Sequence, residues 1–185
     1  MKLKLLALTL SKFQDLEMVG LLSIFKASQK FEKIDFYSPE NKDLVTGQFD
    51  IANIKTITSF DVNHYDVLFI PGGFGAKLLR NSKEGIDCVK QFIEKDKWVI
   101  AICDAPNALA DHNLIAKNQK YISWSDGDIK DPKRITDFNT HVFHSGKLIT
   151  GRCPVVTLDL AFYSLAVIFG KSFSEELKIK LMGKK

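Results

Sequence analysis

Near its middle the chain reads Trp98-Val99-Ile100-Ala101-Ile102-Cys103-Asp104-Ala105-Pro106. Residues 98–102 are apolar and rich in β-branched side chains, as in a strand covered on both faces. The run passes directly into a cysteine, and a proline favoured in a first helical turn follows three positions later. Ala101 and Ala105 flank Cys103 at two positions' distance, small as a sharp strand-to-helix turn demands, so the segment has the shape of a nucleophile elbow. A thiol placed there gains twice. The helix dipole and the free amides of the first turn favour thiolate, and the carboxyl end of a strand is where open α/β sheets bind ligands. The competing reading is a packed core cysteine, since free cysteine is among the most buried residues. The strand–Cys–Asp–Ala–Pro–helix context favours the elbow.

Outward from this point, strands and helices alternate. Leu3–Leu10 is a continuous apolar run. Asp15 is placed to cap a helix running to about Lys30, with Leu16, Val19, Leu22 and Phe25 at helical spacing. Lys33–Tyr37 reads as a second strand, and Gly47 turns a short hairpin within the mixed residues 40–60. Val67–Ile70 is another buried strand, Ser82 caps a helix over Lys83–Lys95, and a short helix starts near Pro106. Tyr121–Trp124 and Thr140–His144 read as strands, and Ser145-Gly146 turns into Lys147–Thr150. Val155–Phe169 is an apolar helix. Ser172 and Glu175 have capping-box spacing for a last one. Strands alternating with helices predict an α/β three-layer sandwich, with a mostly parallel central sheet, right-handed crossovers and helices on both faces. No repeat or linker divides the 185 residues, so residues 1–185 are expected to form a single domain.

Two further features bear on chemistry. Pro71-Gly72-Gly73-Phe74-Gly75 follows the strand at 67–70, and glycines there let backbone N–H groups approach a ligand closely. The segment reads either as half of an anion pocket or as an ordinary turn. It is neither a dinucleotide fingerprint nor a phosphate-binding loop. Glu17 stands in the first turn of the first helix, where the dipole favours an acid in any case.

Composition narrows the classes. Net charge is +4, from 26 Lys+Arg against 22 Asp+Glu, spread without a basic block. Arg80, Arg134 and Arg152 are the only arginines, so bidentate readout of guanine or phosphate is not expected, nor is a nucleic-acid partner. Cys88, Cys103 and Cys153 form an odd, small set, which argues for free thiols in a reducing, cytoplasmic setting. The opening Met1-Lys2-Leu3-Lys4 and the run Leu5–Leu10 imitate a leader, but the run is short and Lys12 interrupts it, so a buried first strand is expected. No stretch approaches the ~20 apolar residues of a membrane span.

Asp66-Val-Leu-Phe-Ile-Pro-Gly-Gly73, then Ile100-Ala-Ile-Cys-Asp-Ala-Pro106, with Glu17 upstream and Thr150-Gly-Arg-Cys-Pro154 before an apolar helix downstream, resemble the ThiJ/PfpI family. The likeness is to its parkinsonism-associated protein deglycase-like branch, within the flavodoxin-like, class I glutamine-amidotransferase-like fold. The resemblance implies Cys103 as a reactive, oxidation-prone cysteine and a protonated Glu17 donating to its sulfur. It also implies a pocket lined by backbone N–H groups at Gly72, Gly73 and Asp104. It implies a homodimer; no cofactor and no metal are expected. Its activities are conversion of methylglyoxal to lactate, repair of glycated groups, and redox sensing or chaperone-like protection.

Two departures stand out. Protease-like members carry a histidine directly after the nucleophile; here that residue is Asp104, so protease activity is not expected. Glyoxalase-active members carry a histidine about twenty residues after the cysteine. Here Tyr121-Ile-Ser-Trp-Ser-Asp126 has none, so the proton shuttle is missing or supplied by another group. His64 and His112 read as surface residues, and His141 and His144 flank a hairpin with poor metal-ligand spacing. Cys88 reads as packing, and Cys153 is a candidate resolving thiol. Phe13 and Trp98 read as core or interface aromatics. Three readings remain open on the same site: cysteine-dependent aldehyde detoxification or repair (glyoxalase- or deglycase-like) on a small reactive aldehyde or glycated substrate, a non-catalytic redox-sensing or stress-protective role for Cys103, and a structural relic without turnover, which the intact Cys103–Glu17 pair disfavours.

Overall fold

The computed structural model describes residues 2–125 and 130–183. The strands are β1 (Leu3–Leu8), β2 (Phe31–Tyr37), β3 (Leu44–Thr46), β4 (Asn53–Lys55), β5 (Val67–Ile70), β6 (Trp98–Ile102), β7 (Val142–Ser145) and β8 (Leu148–Gly151). The helices are α1 (Asp15–Ala27), α2 (Phe74–Leu79), α3 (Lys83–Glu94), α4 (Ala105–Asp111), α5 (Thr157–Phe169) and α6 (Lys171–Leu181). Among the described residues the main sheet runs β2-β1-β5-β6-β8-β7, parallel except for β7 at one edge, and β3 with β4 forms a separate antiparallel hairpin.

The apolar runs read as strands are buried because both faces of the sheet are covered. Leu6 and Leu8 of β1, Leu68 and Ile70 of β5 and Val99 and Ala101 of β6 face the layer of α2, α3 and α4. Their alternates Leu5 and Ala7, Val67 and Phe69, and Ile100 and Ile102 face α1, α5 and α6. Period-2 alternation inside a uniformly apolar strand therefore feeds two cores. This is the three-layer, mostly parallel arrangement expected.

Several local expectations are corrected. The inward face of α1 is Glu17, Met18, Leu21, Leu22 and Phe25, whereas Leu16 and Val19 are 52% and 47% exposed. Turning Glu17 inward rotates the helix away from the face that apolar spacing suggests. Asp15 does not cap α1. Gln14 does, accepting from the Leu16 N–H at 2.6 Å. The buried Asp15 carboxylate instead accepts from the N–H groups of Phe49, Ile51 and Ala52 at 2.9, 3.2 and 2.8 Å. It thus ties the β3–β4 loop to the start of α1, and a Cβ on Gly47 would stand 2.2 Å from its Oδ1. Tyr121–Trp124 is not a strand. Its bonds go to the Thr150 hydroxyl and the Cys103 carbonyl, with one bridge from Tyr121 to Arg134. The strand read at 140–144 begins at Val142, and Pro154–Val156 forms a 3-10 turn ahead of α5. No capping box opens α6. It starts at Lys171, directly after Gly170 breaks α5 at φ +101°. Ser82 caps α3 as expected, accepting from the Gly85 N–H at 3.0 Å. No helix among the described residues is long and apolar enough to cross a membrane.

Candidate active site

β6 delivers Cys103 to the carboxyl end of the sheet and α4 leads away from it. The turn between them holds Cys103 at φ +63°, a left-handed conformation that costs a non-glycine residue about 1 kcal/mol or more. Two backbone bonds hold it there: its N–H donates to the Gly151 carbonyl at 3.0 Å, and its carbonyl accepts from the Trp124 N–H at 2.7 Å. The loop after β5 passes so close that a Cβ on Gly72 would lie 2.5 Å from the Cys103 Cβ and 3.0 Å from Glu17 Oε2. No side chain fits at 72. Gly73 adopts φ +78°, a conformation open to glycine at little cost.

Glu17 reaches this point from the first turn of α1 and is fully buried. Its Oε2 accepts from the Gly72 N–H at 2.6 Å, and its Oε1 has no partner among the described residues. A buried, half-partnered carboxylate is costly, so the neutral acid is favoured. Burial pushes the Glu17 pKa up to about 8, against the opposing hydrogen bonds from Gly72 and Cys103. The Cys103 sulfur shares that carboxyl and also receives the N–H groups of Gly73 and Asp104. These amides favour thiolate, as the elbow reading expects, but burial and the Glu17 charge outweigh them and the thiol pKa is raised. The helix-terminus expectation of a depressed thiol pKa is thereby corrected. A short first turn does not offset the loss of water around a nearly buried sulfur.

Asp104 is anchored from behind. Arg80 grips its carboxylate with both Nη atoms at 2.6 and 2.9 Å, Asn107 Nδ2 adds a bond at 2.9 Å, and Arg80 Nε binds Asp111 at 2.7 Å. The guanidinium holds the Asp104 carboxyl below its ordinary range despite partial burial. Asn107 also donates to the Trp124 carbonyl at 3.1 Å, so the elbow and the 121–125 segment are laced together. Arg80 and Asn107 escaped the sequence reading. The one available signal was the rarity of arginine in a lysine-rich chain.

In front of Cys103 lies an open cavity of about 690 Å³ whose walls include Phe49, Phe74 and Trp124 with Lys12 and Lys77. The hairpin loop carrying Gln48 and Phe49 forms one side of it. None of the four histidines lines it. His112 meets the Arg80 carbonyl at 2.8 Å and His144 meets the Tyr163 hydroxyl at 2.7 Å, both on the surface. Cys88 is buried in α3, and Cys153 is half-buried beside the 3-10 turn, outside the cavity lining. Phe13 is buried next to the glycine loop, and Trp98 packs against the core. Of the stretch 121–126, which lacks the expected histidine, Trp124 stands in the cavity wall; Asp126 lies outside the described residues. Among the described residues, no cluster of three or more His, Cys, Asp or Glu is placed to hold a metal ion.

A sequence model of the DJ-1/PfpI family matches residues 3–166. The chain belongs to the DJ-1/PfpI family. It is 33% identical over 108 residues to the uncharacterized protein MG029 homolog of Mycoplasma pneumoniae, covering 57% of this chain and 98% of that one. It is 34% identical over 116 residues to protein DJ-1alpha of Drosophila melanogaster, covering 61% of this chain and 52% of that one. The crystal structure of Drosophila melanogaster DJ-1beta superposes with a TM-score of 0.85 at 20% identity, covering 100% of both chains. At that identity the likeness speaks for the fold, and the family match covers the elbow, the glycine loop and Glu17 together.

Proposed function

We propose that this DJ-1/PfpI chain is a Cys103-dependent enzyme acting on a small reactive aldehyde or a glycated group, in the glyoxalase or deglycase manner. The observation that carries the reading is the pairing of a strained, amide-cradled thiol with a buried, neutral Glu17 at the floor of an open cavity. With methylglyoxal, the Cys103 thiol releases its proton to solvent and the sulfur attacks the aldehyde carbon, forming an S–C bond as the C=O π bond breaks. The carbonyl oxygen takes the Glu17 proton, giving a hemithioacetal and a Glu17 carboxylate. That carboxylate then removes the proton on the attacked carbon and returns it to the neighbouring one, while the hydroxyl proton passes to the neighbouring oxygen through the enediol, which leaves a lactoyl thioester. Water cleaves the thioester to lactate and regenerates the thiol, so methylglyoxal plus water equals lactate with no outside oxidant. The Gly73 and Asp104 amides are placed to stabilise charge at the sulfur and beside it. The deciding assay is lactate formation by wild type beside Cys103→Ser. Thiol-dependent turnover is expected, and its absence in folded, reduced wild type overturns the reading.

One observation favours a redox-sensing or stress-protective role on the same residues. The donors around the sulfur suit the oxygens of a sulfinate, and no histidine lines the cavity. Peroxide titration with mass spectrometry that found no added oxygen on Cys103 would remove it. We further propose a homodimer and a cytoplasmic setting. Leu16, Val19 and Leu158 are about half exposed and Val155 is 88% exposed, and α1 packs on α5 across Gly20, leaving these side chains unpartnered.

A further inference from the structure

The polar wall of the cavity before Cys103 is rich in donors. Gln14 uses its carbonyl oxygen on the Leu16 N–H at 2.6 Å, and Gln48 uses its own on the Phe74 N–H at 2.8 Å. Each glutamine oxygen thus already serves one N–H, and each keeps an NH2 that can donate. Lys12 and Lys77 add ammonium groups to the same wall. Lys12 meets Asp50 at 2.9 Å in an exposed pair. Lys77 has no carboxylate within ion-pair distance among the described residues, and its ammonium lies 5.9 Å from the centre of the Phe74 ring. The one carboxylate in the lining, Asp104, is occupied by Arg80 and Asn107. Glu17 behind the thiol is held neutral by burial.

A neutral dicarbonyl offers such a wall two weak acceptors. A carboxylate or phosphate offers several strong ones, and charge-assisted bonds to it are short and favourable. We infer that this wall is an anion subsite and that the preferred substrates of Cys103 are aldehydes bearing a carboxylate or a phosphate; the substrate half of this rests on the aldehyde reading above.

The first test needs no turnover. Iodoacetate and iodoacetamide both alkylate a thiolate, forming an S–C bond and releasing iodide while the thiol proton passes to buffer. They differ in the anionic group. Their rate ratio at Cys103, followed by mass spectrometry and normalised to a neutral cysteine peptide, reports the subsite. At low salt the normalised ratio should favour iodoacetate by about fivefold or more. It should fall about threefold in Lys77→Met and in Lys12→Met, and it should shrink toward that of the peptide in high salt. A ratio at or below the peptide's overturns the subsite.

The second test compares kcat/KM for 4,5-dioxopentanoate with methylglyoxal, and for hydroxypyruvaldehyde phosphate with hydroxypyruvaldehyde, all four being 2-oxoaldehydes that the same redox-neutral shift can convert. The first pair reports a carboxylate and the second a phosphate. Cys103-dependent turnover without an anionic preference in either pair overturns the substrate half and leaves the aldehyde reading standing. No turnover of any of the four, with a raised alkylation ratio, overturns the aldehyde reading and supports the subsite alone.

Discussion

Cys103 and Glu17 hold their protons jointly, and the pair titrates as a unit. With the Glu17 pKa pushed up to about 8, the carboxyl loses its proton near that pH, and its charge then pushes the neighbouring thiol further up. Alkylation of Cys103 by iodoacetamide is therefore expected to rise only above the range of an ordinary thiol. In Glu17→Gln that charge is gone and the rise should move to lower pH; an unchanged profile would show that the Glu17 charge does not act on the sulfur. Trp124 stands in the cavity wall, within the segment 121–126 that lacks the histidine the resemblance led one to expect. If the missing shuttle limits turnover, Trp124→His should raise lactate formation by roughly tenfold or more, within the range of one general acid–base group. No gain in a folded variant would remove that explanation.

At the scale of elements, the β3–β4 hairpin matters because it lies outside the main sheet and yet walls the cavity. Its loop is tethered by three N–H bonds to Asp15. Charge-assisted bonds of this kind contribute about 1.5–3 kcal/mol each when the partner stays buried. Asp15→Ala should therefore loosen the loop more than the sheet. Hydrogen exchange at 49–52 is expected to speed up at least tenfold while the β5 and β6 amides stay protected. Equal loss of protection in both would mean that Asp15 supports the whole fold instead. Asp15 also shows what the sequence hides. An acid at a helix start reads as a cap, and only the approach of a hairpin more than thirty residues away reassigns its oxygens.

Two expectations belong to the whole molecule. The unfolded chain ionises Glu17 near pH 4.5, while the folded chain keeps its proton until about pH 8. Between those values the native state binds more protons, so stability falls as pH rises and is fully present only below about 4.5. Glu17→Gln removes the ionisation. It should melt on the order of 5 °C or more above wild type at pH 8.5, with the gap closing at pH 4.5. A constant gap would mean that packing, not titration, separates the two proteins. Separately, Leu158→Glu places a charge in the exposed apolar face of α1 and α5. Light scattering is expected to find dimer in wild type and monomer in the variant; a wild-type monomer would end the homodimer proposal.

The sequence by itself determined the layered α/β fold, the elbow at 101–106, the glycine turn at 71–75 and the capped α3. Each of these is local: a buried parallel strand must be apolar throughout, a sharp turn must have small flanks, and a cap must precede its helix. It also determined family membership, because those local pieces stand at fixed spacing. Tertiary structure alone decided the inward turn of Glu17, which rotates α1 and leaves Leu16 and Val19 exposed. It decided the irregular path of 121–125, where side-chain and elbow acceptors replace a strand partner. It decided the Arg80 grip on Asp104 and the hairpin's place at the cavity. These contacts join residues 24 to 55 positions apart in the clearest cases, and no periodicity or spacing along the chain encodes which distant amide or carboxylate a buried group will meet. The raised Glu17 and Cys103 pKa values belong with them, because loss of water is a property of the assembled core and not of either residue.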